Sequence, residues 1–222
     1  GVENIHLHIA EPLYDVGRNL PEMPDLLYND ELIRFIEGKW NEWAPTLIYN
    51  RYSLGNYSGV WLKQKYRIPF ICEYNGSFSW MARHWTGRRL LHEDIVNHIE
   101  ILNLSFADLV VVVSQPMKDE LVERGIEGEK ILVNPNGVDP DQFSPDIDGS
   151  QTRERYNLNG KTVIGFIGTF GRWHGAEILV EAFGRLLQEC PKYRDQLRLL
   201  MIGDGITKPL VEEAVGKFGL YD

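Results

Sequence analysis

Short apolar runs alternate with amphipathic stretches from about residue 45 to the end of the chain. The apolar runs have the length of β-strands, and we predict strands at 46–49, 69–74, 108–114, 131–133, 162–167 and 197–202. Stretches with apolar side chains at helical spacing predict helices at 25–43, 59–65, 90–105, 114–124, 175–190 and 208–218. Strands that alternate with helices favour right-handed βαβ crossovers on a parallel sheet, so the sequence predicts an α/β fold.

Proline, glycine, aspartate and serine interrupt this alternation at 136–156, where no periodicity is present. Such a composition is typical of a linker between domains. We therefore predict a Rossmann-like domain at 1–145, a linker at 146–160 and a second Rossmann-like domain at 161–222. The strand at 108–114 is apolar on both faces and is expected at the centre of the first sheet.

Composition narrows the class of protein. With 43% hydrophobic and 25% charged residues, the chain fits a globular protein with a sizeable core. Its longest apolar run, at 109–113, is far shorter than a membrane-spanning helix. A net charge of −9 argues against a nucleic-acid partner. Cys72 and Cys190 lie far apart within apolar segments and are expected to be the reduced thiols of a cytoplasmic protein.

The loop between the predicted strand at 162–167 and the helix at 175–190 is rich in glycine and carries Arg172 and His174. Glycine lets the backbone approach a ligand, and a helix N-terminus offers free N–H groups to an anion. The pattern therefore favours a phosphate or diphosphate site, although a tight turn whose glycines serve only packing fits it as well. The glycine spacing is not GxGxxG, so a nicotinamide cofactor gains no support.

Together with two other loops, this segment resembles the retaining glycosyltransferases of family 4. The other loops are the turn at Asn136 and Gly137 after one strand and Gly203-Asp204-Gly205 after another, at the strand end where open α/β sheets bind ligands. The segments that carry the resemblance are PTLIYNRY (45–52), IPFICEYNG (68–76), DLVVVVS (108–114), NGVD (136–139), FSP (143–145), FIG (166–168), WHG (173–175) and IGDG (202–205).

The resemblance implies the GT-B architecture of two Rossmann-like domains and a retaining hexosyltransferase. The second domain would bind a UDP- or GDP-sugar, and the first would present the hydroxyl of a polysaccharide, lipid-linked or other acceptor. Cations and N–H dipoles would stabilise the leaving diphosphate, with no cofactor and no tightly bound metal. The diphosphate would lie at Gly168, Thr169, Arg172, His174 and Gly175. The nucleotide side of the cleft would include Asn136, Gly137, Gly203, Asp204 and Gly205.

Three positions depart from the family's pattern. Thr169 and His174 stand where the family usually has Arg and Lys, so a hydroxyl and a titratable imidazole replace two permanent cations. Asn75 stands where many members have a His near the reacting sugar. Because an amide cannot transfer protons at neutral pH, no catalytic residue is assigned.

Aromatic and basic residues are concentrated between residues 74 and 89. They are Tyr74, Trp80, Trp85, Arg83, Arg88 and Arg89. The aromatic rings either stack on a sugar or lipid acceptor or belong to the core. The arginines either meet an acidic acceptor or an anionic membrane surface, or form a solvated loop.

We therefore expect a cytoplasmic glycosyltransferase with peripheral contact at the inner membrane face. The family's opening glycine-rich loop and its acidic Glu-x7-Glu motif have no counterpart here, so both domains are expected to be incomplete and the chain alone inactive. The alternative is a non-catalytic nucleotide- or phosphate-binding Rossmann module, which the missing Arg and Lys favour.

Overall fold

The structure is a computed structural model that describes residues 22–87 and 89–221. It separates into two compact units, the first ending at Gly137 and the second beginning at Val138. The predicted first domain therefore has its opening 21 residues outside the described part of the chain, and Arg88 lies outside it as well.

The first unit is a parallel four-stranded sheet with helices between its strands. In chain order it contains α1 (Met23–Trp43), β1 (Ile48–Arg51), α2 (Ser58–Tyr66), β2 (Phe70–Tyr74), α3 (Phe78–Met81), a π-helix (Ala82–Thr86), α4 (Glu93–Phe106), β3 (Leu109–Val112), α5 (Gln115–Glu123), a 3-10 turn (Gly128–Lys130) and β4 (Ile131–Val133). The strand order is β1-β2-β3-β4. β3 is therefore an inner strand, as predicted, and its last three residues are buried.

Alternation along β2 builds the core of this unit. Phe70, Cys72 and Tyr74 are buried on one face and pack with Val110 and Val112 of the neighbouring strand. Burial raises the pKa of the Cys72 thiol to about 12, so this cysteine is an inert core residue.

A buried ion pair joins the two helices that follow β2 and β3. The Glu100 side chain of α4 is 1% exposed, and its Oε1 accepts a hydrogen bond of 2.5 Å from the Arg124 guanidinium. The Tyr74 hydroxyl donates to the same oxygen at 3.1 Å. Tyr74 is 1% exposed, so the proposed stacking of its ring on an acceptor is wrong and the ring belongs to the core.

The start of α4 differs from the prediction for a local reason. The helix begins at Glu93 and not at residue 90. The N–H groups of Leu91 and His92 instead donate to the carboxylate of Glu22, at 2.8 and 3.0 Å. A carboxylate at this end is favoured by the helix dipole.

The second unit contains a parallel pair of strands and the two long helices that follow them. In chain order it has α6 (Ser150–Arg155), β5 (Thr162–Ile167), α7 (Ala176–Glu189), a 3-10 turn (Pro191–Tyr193), β6 (Leu197–Ile202) and α8 (Lys208–Phe218). β5 and β6 pair in register from Thr162↔Leu197 to Ile167↔Ile202. The bounds of both strands and of α8 agree with the prediction.

The predicted linker at 146–160 is partly structured. It contains α6, and Arg153 Nη1 donates hydrogen bonds to the carbonyls of Leu158 and Lys161, which follow it in the chain, both at 3.2 Å. Leu158 is 6% exposed. The sequence did not predict this helix because its six residues include no apolar side chains at helical spacing.

Candidate functional site

Two loops leave the carboxyl ends of β5 and β6 at the same edge of the sheet. We call residues 168–175 the β5 loop and residues 203–207 the β6 loop. The Gly168 N–H donates to the Ile202 carbonyl at 3.0 Å, and the Phe170 N–H donates to the Asp204 carbonyl at 2.8 Å. The two loops are thus joined through their backbones, as a continuation of the strand pairing.

Glycine in the β6 loop is required by this close approach. A Cβ on Gly203 would lie 1.9 Å from the Gly168 carbonyl oxygen, and one on Gly205 would lie 2.7 Å from the Phe170 oxygen. Real Cβ atoms do not approach backbone so closely, so any side chain at either position would force the loops apart. The Gly-Asp-Gly sequence therefore has a packing reason that is independent of a ligand.

Phe170 and Thr207 anchor the loop pair to the core. The Phe170 ring is 4% exposed and packs with Ala176, Val180 and Val211. The Thr207 N–H and hydroxyl both donate to the Phe170 carbonyl at 2.9 Å. Neither residue was among the predicted site residues, although a Thr immediately before a helix is a recognisable N-cap signal.

His174 is tied within the β5 loop at both ring nitrogens. Its Nδ1 lies 2.5 Å from the Thr169 carbonyl oxygen, which can only accept, so Nδ1 carries the proton. The Trp173 indole N–H donates to Nε2 at 3.1 Å, so Nε2 presents a lone pair. Both ring nitrogens therefore have partners within the loop, and the imidazole closes it.

The N-terminus of α7 follows this closed loop directly. Gly175 is its N-cap, and no side chain caps the helix there. The first-turn N–H groups of such a helix attract an anion. Arg172 is exposed in the loop before the helix and adds positive charge there. Glu177 lies in the first turn of α7, and its carboxylate would repel an anion bound at this N-terminus.

The β6 loop adds charges of both signs. Asp204 is exposed, and its Oδ1 accepts from the Gly205 N–H at 2.8 Å. Lys208 lies 3.7 Å from the same oxygen. The loops and the first turns of the helices that follow them thus combine backbone donors with two cations, Arg172 and Lys208, and two carboxylates, Asp204 and Glu177.

The remaining predicted site residues belong to the first unit. Asn75 follows β2 and donates from Nδ2 to Glu73 at 2.8 Å, while the Tyr49 hydroxyl donates to the other Glu73 oxygen at 2.7 Å. These two hydrogen bonds lower the pKa of Glu73. Asn136 and Gly137 lie exposed in the segment after β4. The structure therefore brings together eight predicted residues at one sheet edge: Gly168, Thr169, Arg172, His174, Gly175, Gly203, Asp204 and Gly205.

Among residues 22–87 and 89–221, no group of three or more His, Cys, Asp or Glu side chains is arranged to hold a metal ion. Within the same residues, no helix combines the length and apolar character needed to cross a membrane.

The sequence profile of Glycosyltransferase Family 4 matches residues 6–142, more than half of the chain. The chain belongs to this family. A curated relative, the D-inositol 3-phosphate glycosyltransferase of Corynebacterium jeikeium, is 28% identical over 170 residues, which cover 71% of this chain and 38% of the relative. The same enzyme of Geodermatophilus obscurus is 32% identical over 125 residues, 52% of this chain and 27% of the relative. The chain thus spans less than half the length of these relatives.

Two solved structures have a fold similar to that of this chain. Anabaena HepE, crystallised in complex with UDP, matches 91% of this chain and 52% of its own with a TM-score of 0.64 at 21% identity. The UDP-forming α,α-trehalose-phosphate synthase of Burkholderia vietnamiensis matches 90% of this chain and 49% of its own, with a TM-score of 0.59 at 12% identity. At these identities the likeness establishes the α/β fold with parallel sheets, as predicted.

Proposed function

We propose that this family member is part of a glycosyltransferase that takes its sugar from a nucleoside diphosphate donor, and that the β5 and β6 loops bind the diphosphate. The observation that carries the proposal is the uncapped N-terminus of α7, held at the strand ends by the backbone-joined loops. Family membership and the UDP bound to HepE support a nucleotide donor.

The loop residues would have different roles in binding the diphosphate. The first-turn N–H groups of α7 would donate to phosphate oxygens, and Arg172 would supply the mobile cation. Thr169 would offer its hydroxyl. His174, engaged at both nitrogens, would act as a positioning residue that keeps the Thr169 carbonyl turned away from the phosphates. As the glycosidic bond breaks, the negative charge that develops on the diphosphate would be stabilised by donors already in place.

The finer assignments belong to the same proposal. We infer a hexosyl donor carried by UDP or GDP, retention of the anomeric configuration, no tightly bound metal, and a carbohydrate or lipid-linked acceptor. They follow from the family resemblance, as do a cytoplasmic location and peripheral contact at the inner membrane face. Asn75, hydrogen-bonded to Glu73, would orient a sugar hydroxyl and would not transfer a proton.

Calorimetric titration of the chain with UDP tests the donor site. We expect saturable binding to one site, weakened about tenfold or more in Arg172→Ala, because a hydrogen bond to a charged group is lost. Arg185→Ala is the matched control, since this exposed arginine lies later in α7 and pairs with Glu181 at 3.7 Å. Absence of UDP binding, or equal affinity of Arg172→Ala and the unchanged chain, would contradict the proposed site.

A specific observation supports a second candidate, a nucleotide-binding module without transferase activity. Thr169 is uncharged, and both ring nitrogens of His174 are engaged within the loop, so Arg172 is the one permanent cation of the β5 loop, where the family usually has further cations. The two candidates separate in the complete protein supplied with UDP-glucose and water or an acceptor. Release of UDP supports the transferase, whereas binding of UDP without turnover of any UDP-hexose supports the module.

A further inference from the structure

An open groove of about 500 Å³ lies in the first unit between the segment after β2 and helices α4 and α5, away from the β5 and β6 loops in sequence. Residues of the segment 77–84 form one wall, and side chains of α4 and α5 form the other. Its volume is within the range of small-molecule sites.

An exposed aromatic surface forms the first wall of this groove. The Trp80 indole is 52% exposed and stacks on the His84 ring, with centroids 4.3 Å apart and planes 21° from parallel. His84 Nδ1 donates to the Trp80 carbonyl at 2.8 Å, and Trp85 packs edge-on against the indole at 5.9 Å. His84 and Trp85 belong to the π-helix Ala82–Thr86, and such helices occur frequently at functional sites. The indole is therefore held in place without being buried.

Uncharged hydrogen-bonding groups lie beside the indole. The Ser77 and Ser79 hydroxyls are 3.0 Å apart, and the Ser79 hydroxyl donates to Asn97 Oδ1 at 2.5 Å. Asn97 and both serines line the groove. Ser79 is 7% exposed and positions Asn97, so the Ser77 hydroxyl and the Asn97 amide are the groups offered at the edge of the aromatic face.

The charged groups of the groove are already paired. Arg83 contacts Glu93, and Arg124 contacts Glu100 and lies 3.6 Å from Glu120. A ligand with a net charge would have to compete with one of these carboxylates or guanidiniums. A neutral ligand with many hydroxyl groups would instead use the remaining hydrogen-bonding capacity of the pairs.

We propose that this groove binds an uncharged saccharide, with one pyranose face against the Trp80 indole and its hydroxyls toward Ser77 and Asn97. The C–H bonds of a pyranose face carry slight positive charge, and the indole face is negative, so the two surfaces are complementary. The proposal rests on the proposed function and deepens it, because the bound saccharide would be the acceptor or a part of it.

Two-dimensional NMR of the tryptophan indole N–H groups tests this proposal on the chain itself. The probes are neutral trisaccharides of glucose, galactose and mannose in α and β linkage, with inorganic phosphate and glucuronic acid as anionic probes. We expect a saturable shift of the Trp80 signal with at least one neutral trisaccharide, at dissociation constants of about 1 mM or weaker. The anionic probes should leave that signal unchanged at equal ionic strength.

Matched variants show whether the chemical-shift change results from saccharide binding in the groove. Trp80→Ala should abolish saccharide binding and Trp80→Tyr should retain it in part, while Tyr156→Ala, which removes a ring of similar exposure (49%) in the second unit, should leave it intact. UDP titrated into Trp80→Ala should bind as in the unchanged chain, so a failure of the groove is distinguishable from a failure of the donor site. No shift with any neutral trisaccharide, or a shift with phosphate instead, would overturn the proposal.

Discussion

Different kinds of contact join the secondary-structure elements within the two units. In the first unit, side chains join the elements: Glu100 of α4, Arg124 after α5 and Tyr74 of β2 meet in one buried cluster. In the second unit, backbone joins backbone, because the β5 and β6 loops hydrogen-bond directly where glycines let them touch. Side-chain contacts in the core stabilise the scaffold of the first unit. Backbone hydrogen bonds between the two loops of the second unit leave the loop side chains and the N-terminus of α7 available to a ligand. This difference supports the proposal that the second unit binds the nucleotide.

The largest effect is expected in the first unit. Arg124→Ala would leave the Glu100 carboxylate buried without its cation, and we expect a loss of about 3 kcal/mol in the free energy of unfolding. Replacing both residues by Met should cost less than the single change, since no unpaired charge remains. Urea unfolding followed by circular dichroism measures both losses. Arg185→Ala, an exposed pair, should cost less than about 1 kcal/mol. A single change as mild as that control would show that the buried cluster does not fasten this unit.

The second effect concerns the backbone contact between the loops. Gly203→Ala would place its Cβ 1.9 Å from the Gly168 oxygen. We expect the second unit to lose roughly 1–3 kcal/mol through overpacking and to lose UDP binding as the loops separate. Gly165→Ala, in β5 with nothing within 4 Å of the added Cβ, is the matched control and should be nearly neutral. Thermal unfolding with UDP calorimetry decides, and equal behaviour of the two alanine variants would refute the close approach.

A smaller effect separates two roles for His174. If the imidazole closes the β5 loop, Trp173→Phe, which removes the indole N–H, should weaken UDP binding about three- to tenfold, and His174→Ala should do so at least as much. His174→Lys should not restore affinity. The opposite pattern, in which His174→Lys binds more tightly and Trp173→Phe is silent, would place the imidazole as a charge against the phosphates. Calorimetry under one buffer condition compares all four proteins.

The reactivity of the two cysteines compares the two units without any substitution that would change their stability. Cys72 is fully buried in the first unit and its pKa is raised to about 12, whereas Cys190 is partly exposed in the second. Alkylation at pH 8 should therefore modify Cys190 in the folded chain and Cys72 only after unfolding. Mass spectrometry of digests measures the two sites separately. Rapid modification of Cys72 under native conditions would mean that the first unit opens readily.

Local periodicity was sufficient to predict the parallel sheets and most element bounds. The strands at 131–133, 162–167 and 197–202 agree to the residue because apolar runs end there at glycine or polar residues. The late start of α4 was not predictable, since it depends on Glu22, a partner distant in sequence. The sequence pattern also did not indicate the π-helix at Ala82–Thr86.

The candidate site was predictable in place but less so in chemistry. Glycine spacing located both loops at the strand ends. It could not reveal that Gly203 and Gly205 serve the contact with the β5 loop, that His174 is engaged at both nitrogens, or that Phe170 and Thr207 anchor the pair. These properties arise from tertiary distances of a few ångströms, which no local pattern records.

Amide chemical-shift mapping with UDP tests the central claim most directly. If the joined loops bind the diphosphate, saturating UDP should shift the backbone amides of residues 168–178 and 203–207 and the Arg172 side chain. The amides of the buried strand β3 should stay unchanged. Shifts confined to the first unit, or none at saturating UDP, would contradict the assignment of nucleotide binding to these loops.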